Sequence, residues 1–212
     1  MLIVFLGAPG AGKGTQAKSL AAKKDLTHLA TGDMLRAEVA AGTELGLMAR
    51  GFMHRGDLVP DDVMIGMIKG RIESPESAGV LLDGFPRTVA QALALDEALG
   101  AVGASVDRAI YFEVSREELV RRLAGRATCP ECQRAYHDTF HPPQKGDKCD
   151  DCDAELVRRE DDRPEAVLNR LDVYGKQTTP VLDHYRAVGK LVEVNGEQSI
   201  DAVQEDLIAA VG

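Results

Sequence analysis

The stretch Leu2-Ile3-Val4-Phe5-Leu6-Gly7-Ala8-Pro9-Gly10-Ala11-Gly12-Lys13-Gly14-Thr15 decides how the rest of the chain is read. Residues 2 to 6 form an unbroken apolar run, the pattern of a strand buried on both faces. Gly7, Pro9, Gly10 and Gly12 stop that run, and the following residues, with Leu20, Ala21 and Ala22 on an apolar side, predict a helix. Between strand and helix, Gly7 to Lys13 fits G-x4-G-K. Glycines let successive backbone N–H groups converge on one anion, the helix N-terminus adds partial positive charge, and Lys13 can reach the outer phosphates. Gly10, Ala11, Gly12, Lys13, Gly14 and Thr15 are thus candidate phosphate contacts. A chance glycine-rich turn is the alternative, and the flanking strand, lysine and helix speak against it. Gly14 stands where Ser or Thr follows the lysine in the wider motif, and the hydroxyl comes one residue later at Thr15. The usual direct hydroxyl ligand to magnesium is therefore out of its expected place.

Working outward, short apolar runs recur at 80–82, 109–114 and 191–194, separated by helix-like stretches such as 89–99 and 115–124. This alternation predicts an α/β fold: a parallel sheet carrying the phosphate loop, covered by helices on both faces. The last strand ends at Asn195-Gly196, and Ser199 to Val211 reads as a closing amphipathic helix through Ile200, Val203, Leu207 and Ile208. Two stretches interrupt the alternation. Residues 31–60 read as short helices joined by glycines 42, 46, 51 and 56, a small helical lobe. Residues 126–159 hold all the cysteines and the adjacent Pro142 and Pro143, and read as a small β-rich insert. The expected core is then 1–30, 61–125 and 160–212.

Composition narrows the partners. The chain has 212 residues, 44% apolar and 28% charged, as a globular protein does. With 25 basic and 34 acidic side chains its net charge is −9, which disfavours wholesale attachment to nucleic acid, so any anion must be held locally. No apolar run approaches the roughly 20 residues of a membrane helix, and residues 1–6 lack the basic flank of an export signal. The expectation is a cytoplasmic monomer with no membrane or nucleic-acid partner.

Cys129, Cys132, Cys149 and Cys152 form C-x2-C-x16-C-x2-C. This spacing suits tetrahedral zinc, two thiolates from each turn, in a structural site. A redox pair or two disulfides is the alternative. Arginines are also clustered: 9 of 16 lie at positions 116–170, against 2 of 9 lysines. The planar guanidinium suits bidentate phosphate contact, whereas others of this set, such as Arg116, Arg121 and Arg134, fit a solvating role.

Residues Gly7 to Gln16, Thr31-Gly32-Asp33-Met34-Leu35-Arg36 and Leu82-Asp83-Gly84-Phe85-Pro86-Arg87-Thr88 together resemble adenylate kinase, in the form whose lid carries four cysteines. Gly14 is itself that family's pattern. The resemblance spans essentially the whole chain and implies reversible γ-phosphoryl transfer from ATP to AMP, giving two ADP. It implies that 31–60 binds AMP and that 126–159 closes over ATP. By similarity, Thr31, Arg36, Leu58, Val59, Gly84, Arg87 and Gln91 belong to the AMP site, with Arg36 and Arg87 on the phosphate and Gln91 at the adenine edge. Arg122, Arg126, Arg159 and Arg170 match the donor-side phosphate arginines, and Arg122 and His137 the neighbourhood of the ATP base. Lys13, Arg87, Arg122, Arg159 and Arg170 are the catalytic set so implied.

Read without the family, Thr31 and Asp33 fit helix caps, Gln91 a surface position and Gly84 a turn. Asp83, at the C-terminal end of a strand, suits an indirect hold on Mg²⁺ through water. Asp161 and Asp162 either orient arginines or, for Asp162, cap the helix that Pro164 begins. Phosphoryl transfer needs cations and positioning more than a base, because the acceptor is an already ionised phosphate. Rival readings are the same fold acting on UMP or GMP, a zinc-ribbon module for nucleic acid, and a phosphate-loop switch that releases inorganic phosphate.

Overall fold

The computed structural model describes residues 1–72 and 78–212. Along the chain, β1 (Leu2–Leu6) leads to α1 (Lys13–Lys24), β2 (Leu26–Ala30), α2 (Thr31–Ala41), α3 (Glu44–Arg55), α4 (Asp61–Ile72), β3 (Gly79–Asp83), α5 (Val89–Ala101), β4 (Arg108–Glu113) and α6 (Arg116–Ala124). There follow β5 (Arg126–Thr128), β6 (Ala135–His137), α7 (Pro164–Val173), α8 (Thr179–Ala187), β7 (Leu191–Asn195) and α9 (Ile200–Val211). The expected core segment 61–125 includes 73–77, which lie outside the described residues.

Strand order is β2-β3-β1-β4-β7, with every neighbouring pair parallel. Leu2, Val4 and Leu6 of β1 enter one core with Leu82, Leu95 and Tyr185. Ile3 and Phe5 enter the other with Leu20, Ile110 and Leu207. The strand's two-residue alternation therefore feeds two apolar layers, which is why β1 reads as continuous hydrophobe. Phe5 and Phe112 meet edge to face at 4.9 Å in the second layer. From β1 the chain builds first to one side and then to the other. That reversal opens a crevice at the C-terminal strand ends, where the loop 7–12 emerges.

Several local readings change. Gly42 and Gly56 do end helices, in left-handed C-cap conformations, but Gly46 and Gly51 lie inside α3. A methyl at Gly46 would fall 2.1 Å from the carbonyl oxygen of Glu38, so that glycine exists to let α3 cross the end of α2. Ala22 is exposed, and Gln16 and Ala17 join Leu20 and Ala21 on the buried side of α1. Ile200 is 50% exposed, while Val203 and Leu207 are buried. β2 escapes sequence reading because Thr27 and His28 interrupt its apolar pattern. In the 126–159 segment β5 and β6 pair antiparallel, and isolated bridges join Thr128 to Val157 and Lys148 to Glu155.

Candidate active site

A cavity of about 740 Å³ occupies the crevice, within the size range of small-molecule sites. Gly10, Ala11, Gly12, Lys13, Gly14 and Thr15 form its floor, with Asp83, Gly84 and Arg87 at the end of β3. Arg36, Leu58, Arg122, Arg126, His137, Arg159 and Arg170 line it from the surrounding elements. A smaller cavity of about 60 Å³ is lined by Val59 and Gln91 and shares Arg36, Leu58, Arg87 and Arg170 with the first. Thr31 lines neither. It is fully buried, with its hydroxyl donating to the Gly84 carbonyl at 2.9 Å.

The loop owes its shape to residues no other side chain could replace cheaply. Gly10 has φ +89°, and a methyl there would lie 3.0 Å from Leu123 Cγ and 3.1 Å from the Leu119 carbonyl oxygen. Lys13 Nζ curls back to donate to the carbonyls of Gly7 at 2.7 Å and Ala8 at 3.0 Å. Burial lowers its pKa to about 8; Asp83 opposes that shift, and Arg87, Arg170 and Arg126 add to it.

Asp83 faces Gly14, where a side chain would begin 3.4 Å from Asp83 Oδ2. A glycine after the lysine thus leaves the loop open toward a carboxylate instead of supplying a hydroxyl. Burial alone would raise the Asp83 pKa, but His28, with Nε2 3.5 Å from Oδ2, together with Lys13 and Arg87, holds it below the usual value. His28 was not found by sequence reasoning; only the pairing of β2 with β3 brings it there.

The arginines are crowded. Burial, and then repulsion from Arg170, pulls Arg87 down to about 10, against the pull of Asp83. Burial, with Arg126 and Arg36 nearby, pulls Arg159 down to about 9. Arg170 is lowered chiefly by burial. Arg36 Nε, although buried, has no hydrogen-bond partner among the described residues. Cations pressed together at such a cost mark a place for a polyanion.

The carboxylates that spread this charge are specific. Arg126 donates both guanidinium arms to Asp162, and Arg170 Nη1 reaches Asp162 Oδ1 at 3.0 Å and Asp161 Oδ2 at 2.9 Å. Burial opposes ionisation of Asp161, and Arg170 and its neighbours overcome it. Arg163 is the N-cap of α7, with no side-chain cap, so the arginine-orienting use of Asp162 is the one seen. Nor do Thr31 and Asp33 cap α2, whose N-cap is Ala30. Asp33 binds Arg36 and lies 3.8 Å from Arg159. Arg122 donates to Glu118 at 2.7 Å and to the Gly196 carbonyl at 2.9 Å, beside exposed Ile200 at the cavity wall.

His137 is partly spoken for. Nδ1 accepts from Thr139 N at 3.0 Å and Phe140 N at 3.2 Å, and Nε2 lies 3.3 Å from the Arg121 carbonyl. Arg134, read as a solvating residue, lines the cavity and sits 5.3 Å from the Tyr136 ring centroid. Arg116 and Arg121 are exposed ion-pair partners of Asp172 and Glu118, outside the cavity.

The four cysteine sulfurs lie within 4.8 Å of one another. The shortest separation, Cys129 to Cys152 at 3.3 Å, is far beyond a disulfide bond, and all four thiols are free. Tetrahedral zinc with bonds of about 2.3 Å requires sulfurs roughly 3.8 Å apart, so the quartet fits such an ion. Tyr136 Oη donates to Cys149 Sγ at 3.4 Å and brings that thiol down to about 6.

A sequence model of the family described as "Adenylate kinase" matches residues 5–190. A protein named "Adenylate kinase" from Methanocella arvoryzae is 48% identical over 212 residues, covering 100% of this chain and 98% of that protein. Another of the same name from Bacillus cereus (strain B4264) is 48% identical over 213 residues, with 100% and 99% covered. A third, from Bacillus cytotoxicus, shows the same identity and coverage.

Proposed function

The chain belongs to the adenylate kinase family, its reaction is reversible transfer of the γ-phosphoryl group from ATP to AMP to give two ADP, and we propose that the arginine-lined chamber is where that transfer takes place. The observation that carries this assignment is the convergence of Lys13, Arg36, Arg87, Arg122, Arg126, Arg159 and Arg170 on one cavity at the strand ends. In the proposed arrangement, loop residues 10–15 hold the donor phosphates. Arg36 and Arg87 grip the acceptor phosphate, and Arg122, Arg159 and Arg170 offset charge on the oxygens of the group in transit. Arg126 and His137 complete the donor side, while Thr31, Leu58, Val59, Gly84 and Gln91 shape the acceptor side.

Adenylate kinases use Mg²⁺ with ATP, and in the proposed arrangement Asp83, across from Gly14, would hold it through water against the loop. The metal supplies electrostatic stabilisation of the phosphates when bound. Residues 31–60 form the proposed AMP lobe and 126–159 the proposed lid, whose closure excludes water as a competing acceptor. Cys129, Cys132, Cys149 and Cys152 are the proposed ligands of a structural zinc ion. Among the described residues no helix is long and apolar enough to cross a membrane. Free thiols suit a reducing compartment, in keeping with a cytoplasmic enzyme, and a monomer is the proposed state. The test is ADP formation from ATP with and without AMP. Product that depends on AMP supports the assignment, and AMP-independent release of inorganic phosphate contradicts it.

A further inference from the structure

Gln91 is 1% exposed, and its amide is held at both ends. Oε1 accepts from the backbone N–H of Arg87 at 2.7 Å, and Nε2 donates to Asp61 Oδ1 at 2.7 Å. Asp61 opens α4, thirty residues before Gln91 in the first turn of α5. Its other oxygen accepts from Thr88 Oγ1 at 2.8 Å, and Thr88 Oγ1 in turn accepts from Gln91 N at 3.1 Å. The carboxylate is thereby fixed as well.

A carboxylate accepts and a backbone N–H donates, so neither contact survives rotation of the amide by half a turn. The rotated amide would set oxygen against oxygen at Asp61 and hydrogen against hydrogen at Arg87, in a place too buried for water to compensate. One orientation is therefore enforced. In it the amide has one N–H and one oxygen lone pair left over. Gln91 shares its cavity with Leu35, Met53, Val59 and Met64, apolar walls suited to a flat base.

A 6-aminopurine presents an acceptor at N1 beside a donor at N6. A 6-oxopurine presents the reverse, a donor at N1 and an acceptor at O6. The amide order set by Asp61 complements the first and opposes the second. We propose that Asp61 is the positioning residue that makes the acceptor site choose a 6-aminopurine over a 6-oxopurine, acting through the amide of Gln91. This inference rests on reading the smaller cavity as the seat of the AMP base.

The experiment compares kcat/KM for AMP and for inosine monophosphate, which differ only at the N1 and C6 positions. Asp61→Asn and Asp61→Ser each replace a group that can only accept by one that can also donate, so the amide order is no longer enforced from that side. Each is expected to lower the AMP-to-IMP ratio about tenfold or more, through KM for the monophosphate, with KM for ATP unchanged. In a Gln91→Ala background, Asp61→Ser is expected to leave the ratio where Gln91→Ala puts it. Because the ratio does not depend on how much enzyme is active, partial unfolding of a variant does not mask the answer. If Gln91→Ala lowers the ratio and both Asp61 variants leave it intact, the proposal fails and the assignment of the cavity stands. If Gln91→Ala itself leaves the ratio intact, the assignment fails and the proposal with it.

Discussion

Asp162, buried to 4% exposure, takes both arms of the Arg126 guanidinium, one of them Nε at 2.7 Å, and so ties the first residue of β5 to the stretch just past the end of the 126–159 segment. The same carboxylate also serves Arg170. Removing it leaves Arg126, partly buried and close to Arg159, without a counter-charge, and leaves Arg170 with Asp161 alone. Breaking such a pair costs about 3 kcal/mol, roughly 6–12 °C of Tm at this chain length. Asp162→Ala is expected to melt earlier by that amount, and a phosphate-bearing ligand, which supplies the missing negative charge, is expected to restore much of the loss. Calorimetry with and without nucleotide checks both parts. An unchanged Tm would show that the pair contributes nothing.

How much of this was legible beforehand depends on the range of the contacts. β1, the phosphate loop and α1 are written locally, in an apolar run, glycines and a lysine, and they stand where expected. The cysteine quartet was equally legible, because spacing within two turns carries the signal. The partners of the site residues were not. His28 reaches Asp83 only because β2 pairs with β3, and Asp61 reaches Gln91 across thirty residues. The choice between two uses of Asp162 also needed coordinates, since a carboxylate before Arg163-Pro164 satisfies the capping pattern and yet turns toward Arg126 and Arg170. Gly46 misled because a glycine inside a helix looks like a break until the backbone of Glu38 is seen against it.

Lys13 carries a pH dependence whose direction follows from its surroundings. Burial brings its pKa to about 8 from an ordinary 10.5, and only the protonated amine attracts phosphate. Bound triphosphate favours the charged form, so above pH 8 binding must take up a proton that the free protein has lost. The dissociation constant for ATP is therefore expected to rise as pH climbs from 8 toward 10, by up to about tenfold per unit from Lys13. Lys13→Met, which has no amine to titrate, is expected to bind ATP more weakly and to lose the slope that begins near pH 8, leaving only what Arg159 and Arg87, lowered to about 9 and about 10, supply. Calorimetric titrations across that range decide the matter, and a wild-type curve without slope above pH 8 would show that the Lys13 amine takes up no proton on binding there.

Gly84 offers a backbone test. It sits at φ +81°, and a methyl group there would lie 2.9 Å from Thr31 Oγ1 and 3.0 Å from Arg87 Nη2. Its carbonyl also accepts from both side chains, at 2.9 Å and 2.7 Å. Gly84→Ala is therefore expected to cost about 1–3 kcal/mol of stability and to displace Arg87, raising KM for AMP while sparing KM for ATP. Steady-state kinetics with each nucleotide varied in turn separates the two. Equal losses on both sides would mean that the substitution damages the fold as a whole and not the acceptor pocket.

The lid brings the last prediction, because its apolar interior is too small to hold it together. Cys129, Tyr136 and Cys149 are the buried members of that cluster, with Ala127, Ala154 and Leu156 packed against them. So few side chains cannot offset the chain entropy of a segment this long, whereas a four-thiolate zinc site contributes on the order of 10 kcal/mol. The protein purified without chelator is expected to contain one zinc per chain by elemental analysis. Stripping it should speed amide hydrogen exchange across 126–159 and leave β1, β3 and β4 as protected as before. Cobalt substitution should give the visible absorption of tetrahedral thiolate coordination, and Cys149→Ser should reproduce the exchange pattern of the stripped protein. Activity should then fall through loss of the lid arginines, with binding to the loop at 10–15 retained. Protection of 126–159 that survives complete metal removal would mean that Tyr136 and the strand pairing of β5 with β6 suffice, and that the four thiols have another purpose.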